Sequence, residues 1–252
     1  MILNMYMNEC SDSTMLVESL EVNSALNNIN NILLTEASDN NFSIKNIKTK
    51  MLKLIEKLQN ALKELWKKIK KAAETLFNKI KKNKNTDKKK DVDKEQIIFE
   101  FRSRYLMSDP IKVYKTALNM INDIDDYISY TNSEDIFKVR DMLEELNGKG
   151  VYERLECSKD AQVYNINAND LNLDKISVVT KEYNQIVDVI NASYDKAKGV
   201  IKNTSEDIKY VAAHCNLILN VINRINSVCV GTHQDFMRAA KIALDKMEKD
   251  EN

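Results

Sequence analysis

The sequence predicts an all-α protein, and two observations carry that prediction. Its 252 residues include only four glycines (Gly148, Gly150, Gly199 and Gly231) and a single proline, Pro110. That leaves little raw material for hairpins, tight turns or glycine-rich phosphate loops. Apolar residues also recur over long stretches at alternating steps of three and four, the period of one helical face. The length suffices for a sizeable core in one large or two modest domains.

The first forty residues mix short apolar stretches (Leu16, Val17, Leu20, Val22, then Ile29, Ile32, Leu33 and Leu34) with Asn, Ser and acidic residues, a pattern for one or two short helices. Residues 38–43 (SDNNFS) form a polar breaker with good N-cap chemistry. Apolar residues then fall at 44, 47, 51, 54, 58, 62, 65, 69, 72, 76 and 80. This predicts one helix from Ile44 to Lys82, nearly ~60 Å long at ~1.5 Å per residue. Lys63, Lys67, Lys70 and Lys71 occupy the side away from the stripe. Lys81 to Glu95 is almost wholly polar and densely charged, which predicts a solvated linker.

Beyond it, Gln96–Met107 and Pro110–Tyr130 carry helical patterns, the second with Asp109 as N-cap and Pro110 at the first helical position. Ser133–Leu146 is a further helix, capped by Ser133 and ended by Asn147 and Gly148. Val151–Leu173 is irregular, with Val163, Tyr164 and Ile166 the candidates for a short strand pair. Ile176, Val179, Tyr183, Ile186, Ile190 and Ala197 then mark one long helix. Ile208, Val211, Cys215, Ile218, Ile222, Ile225, Cys229, Phe236, Ala243 and Met247 mark another, with Thr204 and Ser205 as caps between them. A long antiparallel hairpin of coiled-coil type is expected. The chain thus divides into an acidic N-terminal segment (1–36), a basic amphipathic helix (37–82), a charged linker (83–95) and a helical body (96–252).

Formal net charge is zero, but the zero is a sum of unlike parts. Residues 1–40 hold six acidic side chains and no Lys or Arg; residues 41–90 hold seventeen Lys against Glu56, Glu64, Glu74 and Asp87; the rest is mildly acidic. Such asymmetry points to partners. The scattered cysteines Cys10, Cys157, Cys215 and Cys229 follow no disulfide framework and suit a reducing, cytoplasmic interior. Neither a secretory signal nor a transmembrane helix is expected.

Catalysis finds little support. The two histidines, His214 and His233, would have to serve with Cys215 and Cys229. On one helix those cysteines sit ~21 Å apart, too far to share a zinc. Cys229 and His233, at i and i+4, supply two ligands with no second pair in view. Asp125 with Asp126, and Glu144 with Glu145, are helical neighbours that diverge. No nucleotide-binding or nucleophile-elbow pattern occurs. A non-enzymatic protein without cofactor or metal is expected.

The basic helix remains. Three readings of KLIEKLQNALKELWKKIKKAAETLFNKIKK stay open. Its stripe packs on other helices and its lysines are merely solvated. Alternatively Leu65, Trp66, Ile69, Leu76 and Phe77 dip into an anionic membrane with the lysines at headgroup level. Or the lysines lie against nucleic-acid phosphates without base readout, since the segment lacks Arg. The candidate contacts are Lys63, Trp66, Lys67, Lys68, Lys70, Lys71, Phe77, Lys79, Lys81 and Lys82.

This layout, with an acidic Ser/Asn-rich head, a helix of the form LWxKIKxxxxxLFxKI at residues 65–80, and a helical body ending in a long hairpin, resembles virion proteins of large tailed phages of low-GC Gram-positive bacteria. It is also similar to internal head proteins of T4-like phages, whose N-terminal capsid-targeting segment is removed after Leu/Ile-x-Glu. Leu34, Thr35 and Glu36, followed by Ala37, have that form. Other tripeptides match, but four of the five lie inside predicted helices, where a protease cannot bind an extended strand. The resemblance implies a non-enzymatic internal head protein in the capsid interior, with capsid proteins and packaged DNA as partners. The alternatives are a membrane-active helical protein and a helical scaffold that forms a homo-oligomer through its C-terminal hairpin.

Overall fold

The computed structural model describes residues 44–86, 97–105, 109–205 and 207–250, without the side chains of 82–86 and 248–250. The fold is all-α with a small two-stranded sheet attached. Its helices are α1 (Ile44–Thr86), α2 (Pro110–Asp125), α3 (Ser133–Glu145), α4 (Leu173–Asn203) and α5 (Ile208–Asp250). Strand β1 (Ile98–Ser103) falls between α1 and α2, and β2 (Gln162–Asn167) between α3 and α4.

The long basic helix and the C-terminal antiparallel hairpin are both present, but α5 is more than half of a coiled coil. Val211, Cys215, Ile218, Ile222, Ile225 and Cys229, on its predicted face, are joined in the core by Ala212, Leu219, Val221, Val228, Val230 and Ala240. Asn216, Asn220, Asn223 and Asn226 are buried as well. Over residues 214–237 no position of α5 is exposed, and a helix enclosed around its whole circumference needs cover on every side. Helices α1, α2, α3 and α4 all pack on it, and β1 reaches it. The hairpin's apolar stripes are thus covered within the chain.

Two hydrogen bonds tie α4 to α5. The Tyr183 hydroxyl donates to Asn226 Oδ1 (3.1 Å) and the Tyr194 hydroxyl to Asn223 Oδ1 (2.8 Å). All four residues are buried, and leaving one such group unpaired costs ~1–3 kcal/mol. A slip of one turn would orphan both pairs, so they fix the register. Helices α1 and α2 each touch both α4 and α5 and fill the two grooves of that pair. Helix α1 runs parallel to α5. Near its start Lys48 donates to the Lys202 carbonyl at the end of α4 (2.8 Å), and near its far end Lys79 meets Asp245 of α5 (2.6 Å). Across the other groove, Lys196 of α4 binds Asp125 at the end of α2 (2.8 Å).

Several expectations need correction. Gln96–Met107 is not helical: Ile98–Ser103 forms β1, paired antiparallel with β2 in the register Phe99↔Ile166 and Phe101↔Tyr164. The reason lies in IFEFRS, which alternates strictly, with Phe99, Phe101 and Ser103 buried and Ile98, Glu100 and Arg102 exposed; this is a period of two. Val163, Tyr164 and Ile166 do fall in a strand. Strand β1 and the residues just after it are pinned to α5 at three points. Ser103 donates to Asp235 (2.7 Å), Arg238 lies over the Phe101 ring at 5.8 Å, and the Tyr105 ring covers Gly231 so closely that a Cβ there would meet it at 2.1 Å. That contact explains a glycine inside a helix, where it otherwise costs about 1 kcal/mol relative to alanine.

Asn132, not Ser133, caps α3, its side chain accepting from the Asp135 amide (2.8 Å). Asp109 caps α2 as expected, but the helix tightens at Asp126–Ser129 into a 3-10 turn. The chain after α3 kinks at Gly148 within a π turn (Leu146–Gly150) and resumes for one helical turn. Helix α1 continues to Thr86, into the predicted linker. The N-terminal segment 1–36, the breaker and the rest of the linker lie outside the described residues.

Ile47, Met51, Leu54, Ile55, Leu58, Leu62, Leu65, Ile69, Leu76 and Ile80 of α1 belong to the same core as α4 and α5. The substitution Ile69→Ala should therefore cost about 2–5 kcal/mol in urea unfolding of the full chain, whereas Lys71→Ala stays within about 0.5 kcal/mol. Equal, small effects would show that α1 is not part of the folded unit.

Candidate functional site

The core burial of α1 fixes what its other side can do. Fourteen lysines and three glutamates lie between Ile44 and Thr86, with no Arg or Asp. Of the predicted contacts, Lys63, Lys67, Lys68, Lys70, Lys71 and Lys81 are exposed. Lys79 is half-buried and held by Asp245. The Lys82 side chain and the Leu34, Thr35, Glu36 and Ala37 sequence lie outside the described residues. Trp66 and Phe77 are half-buried against the core, so they do not extend the apolar stripe outward. The Trp66 ring sits 5.9 Å from that of Tyr183 on α4, with the Lys70 ammonium 6.0 Å from its centroid.

Three exposed lysines, Lys45, Lys53 and Lys57, were missing from the predicted set. Lys53 and Lys57 fall within ~80° of Lys67 and Lys71 around the helix, at 100° per residue, and lengthen the cationic ridge by more than two turns. The i, i+4 spacing of 53 with 57 and of 67 with 71 carried the signal. Acidic residues interrupt the ridge. Glu64 accepts from Lys67 (2.6 Å), and that bond followed by the lysine's charge holds its carboxyl below the usual range. Glu56 and Glu74 are also exposed. The face is a cationic surface of mixed composition on a rigid, packed helix. It offers charge along a line and no concave, base-reading surface.

The histidine and cysteine candidates sit in the core. The Cys215 thiol is pushed up to about 12 by burial, and Cys229 is shifted in the same direction. His214 hydrogen-bonds the Tyr127 carbonyl through Nε2 (2.8 Å). His233 pairs through Nδ1 with the Tyr114 hydroxyl (3.2 Å), its ring 5.4 Å from that of Tyr183. Among the described residues, no three His, Cys, Asp or Glu side chains converge on a metal position. A hollow of about 670 Å³ opens between the α2–α3 connection and the end of α4, but its one lysine, Lys196, is bound to Asp125. No helix among the described residues is long and apolar enough to cross a membrane. No family model, curated protein or solved structure matches the chain.

Burial lowers His233 from 6.5 to about 4. Its titratable neighbours Tyr114, Tyr183 and Cys229 are all shifted up by burial and stay neutral, so no anion receives an imidazolium there. Folding thus favours the neutral ring. The resulting stability is full above about pH 6.5 and is lost as pH falls from there through about 4, by on the order of 3 kcal/mol. Denaturant midpoints measured from pH 7.5 to 4 should fall accordingly, and His233→Gln should flatten much of that slope. An unchanged slope in the variant would assign the acid sensitivity elsewhere.

Proposed function

We propose that the protein is a non-catalytic polyanion-binding protein whose working surface is the solvent face of α1. On its resemblance to internal head proteins, the polyanion is duplex DNA packaged with it in a phage capsid. One observation supports this reading above the others: α1 spends its apolar stripe on the core while presenting Lys53, Lys57, Lys63, Lys67, Lys70 and Lys71 to solvent. An interfacial membrane helix needs that same stripe for the bilayer. A nucleic-acid surface needs only the lysines.

Phosphate contact by lysine alone gives affinity without sequence preference, because base readout requires donors in a groove. Helix α1, at ~65 Å, matches about two turns of duplex at ~34 Å each. With glutamates sharing the face and Lys79 tied to Asp245, about five or six phosphates are engaged at once. At ~0.9 counterions per phosphate, this gives a slope of log K against log salt near −5.

Full-length protein titrated with labelled duplexes between 50 and 200 mM salt should show that slope for unrelated sequences. Replacing Lys63, Lys67, Lys70 and Lys71 together by Gln should reduce it by about three. Absence of duplex binding at 50 mM would end the DNA reading. In the same buffer anionic vesicles should leave Trp66 emission unchanged, since the ring stays against Tyr183; a blue shift would show α1 leaving the body for a bilayer and would move the function to membranes.

A further inference from the structure

We propose that the acidic N-terminal segment, residues 9–39, docks on the lysine ridge of α1 and competes there with external polyanions. The segment holds Glu9, Asp12, Glu18, Glu21, Glu36 and Asp39 and no Lys or Arg. Helix α1, which carries the ridge and begins at Ile44, has a formal charge of +11 from fourteen lysines and three glutamates. Among the described residues Lys53, Lys57, Lys63 and Lys71 of the ridge are exposed to solvent, while Glu64 takes Lys67 and Asp245 takes the half-buried Lys79.

Reach permits the contact. Glu18 precedes Ile44 by 26 residues, a contour of up to ~90 Å, against a helix of ~65 Å, so Glu21 and the carboxylates before it can meet the whole ridge, while Glu36 and Asp39, with contours of ~28 and ~17 Å, reach only its beginning. A tethered partner acts at an effective concentration of the order of millimolar. That is enough for a segment of modest intrinsic affinity to occupy the face in the absence of a stronger anion. The rim of the ridge is also suited to the segment's apolar residues. Trp66, packed inward on Tyr183 and only partly buried, lies one turn from exposed Lys63 and Lys70, and Leu16, Val17, Leu20 and Val22 flank Glu18 and Glu21. Opposite charge sets the occupant and apolar contact sets its seat.

The contact itself is independent of the proposed function; its consequence, a tunable affinity, rests on that reading. Two measurements on the full chain separate them. Zero-length carbodiimide cross-linking of the wild type followed by mass spectrometry should join carboxylates of residues 9–39 to Lys53, Lys57, Lys63, Lys67 or Lys71, with the links fading at high salt. Links to lysines outside α1 instead, or none, overturn the docking. A variant carrying Glu9→Gln, Asp12→Asn, Glu18→Gln, Glu21→Gln, Glu36→Gln and Asp39→Asn should bind duplex DNA roughly tenfold more tightly than wild type at 50 mM salt, the difference closing by 200 mM. Equal affinities at low salt overturn the competition. Cross-links without DNA binding by either protein leave the docking standing and remove the DNA reading alone.

Discussion

The whole structure answers to one constraint, the burial of α5 around its full circumference. A helix with Cys229, Val230, Asn220, Val228 and Phe236 buried and spread around its circumference at 100° per residue cannot be satisfied by a single antiparallel partner. Helix α4 covers one side and supplies the tyrosines that pair with Asn223 and Asn226. The grooves left on either flank of the pair take α1 and α2, and α3 with strand β1 closes the remainder. Helix α1 is thus recruited as cover, and its orientation follows: ten core positions inward, most of the lysines outward.

That arrangement separates what holds α1 in place from what it presents. Its ion pairs, such as Lys79 with Asp245, are partly exposed and contribute little, as such pairs do. Apolar burial does the holding, and it is insensitive to salt at ordinary concentrations. The anion binding proposed for the outer face would depend on salt steeply. The two would respond to different conditions, so binding on that face need not disturb the fold. On the other flank, residues 109–170 carry thirteen acidic side chains against seven basic. The neutral total conceals a molecule with a basic groove-filling helix on one side and an acidic body opposite.

Most of the helical architecture was legible because periodicity and breakers agreed: Asp109 with Pro110, the polar connection around Thr204, and the unbroken stripe of α1. What escaped was local or polar. Gln96–Met107 was mistaken because its apolar content was weighed before its alternation, which IFEFRS shows plainly. In α5 the asparagines concealed the extent of burial. Asn216, Asn220, Asn223 and Asn226 look like a solvated face in sequence, but Tyr194 and Tyr183 donate to Asn223 and Asn226, and the Asn220 and Asn223 amides donate to the Asn216 and Leu219 carbonyls one turn back. Gly231 gave no sign of its role, since the ring it accommodates is 126 residues away in the chain. The lysine ridge was visible as composition, but which side of α1 is free could be settled only by knowing what the stripe packs against. Lys53 and Lys57 joined the ridge for the same reason.

Everything attributed to the outer face of α1 requires that this helix be a permanent part of the body. Native-state hydrogen exchange of the full-length protein measures that directly. Amides from Met51 to Leu76 should open only with global unfolding, at the same free energy as those of α4 and α5. Exchange of α1 amides at a distinctly lower free energy, while α4 and α5 stay protected, would contradict a fixed lysine face and describe a helix that leaves the core.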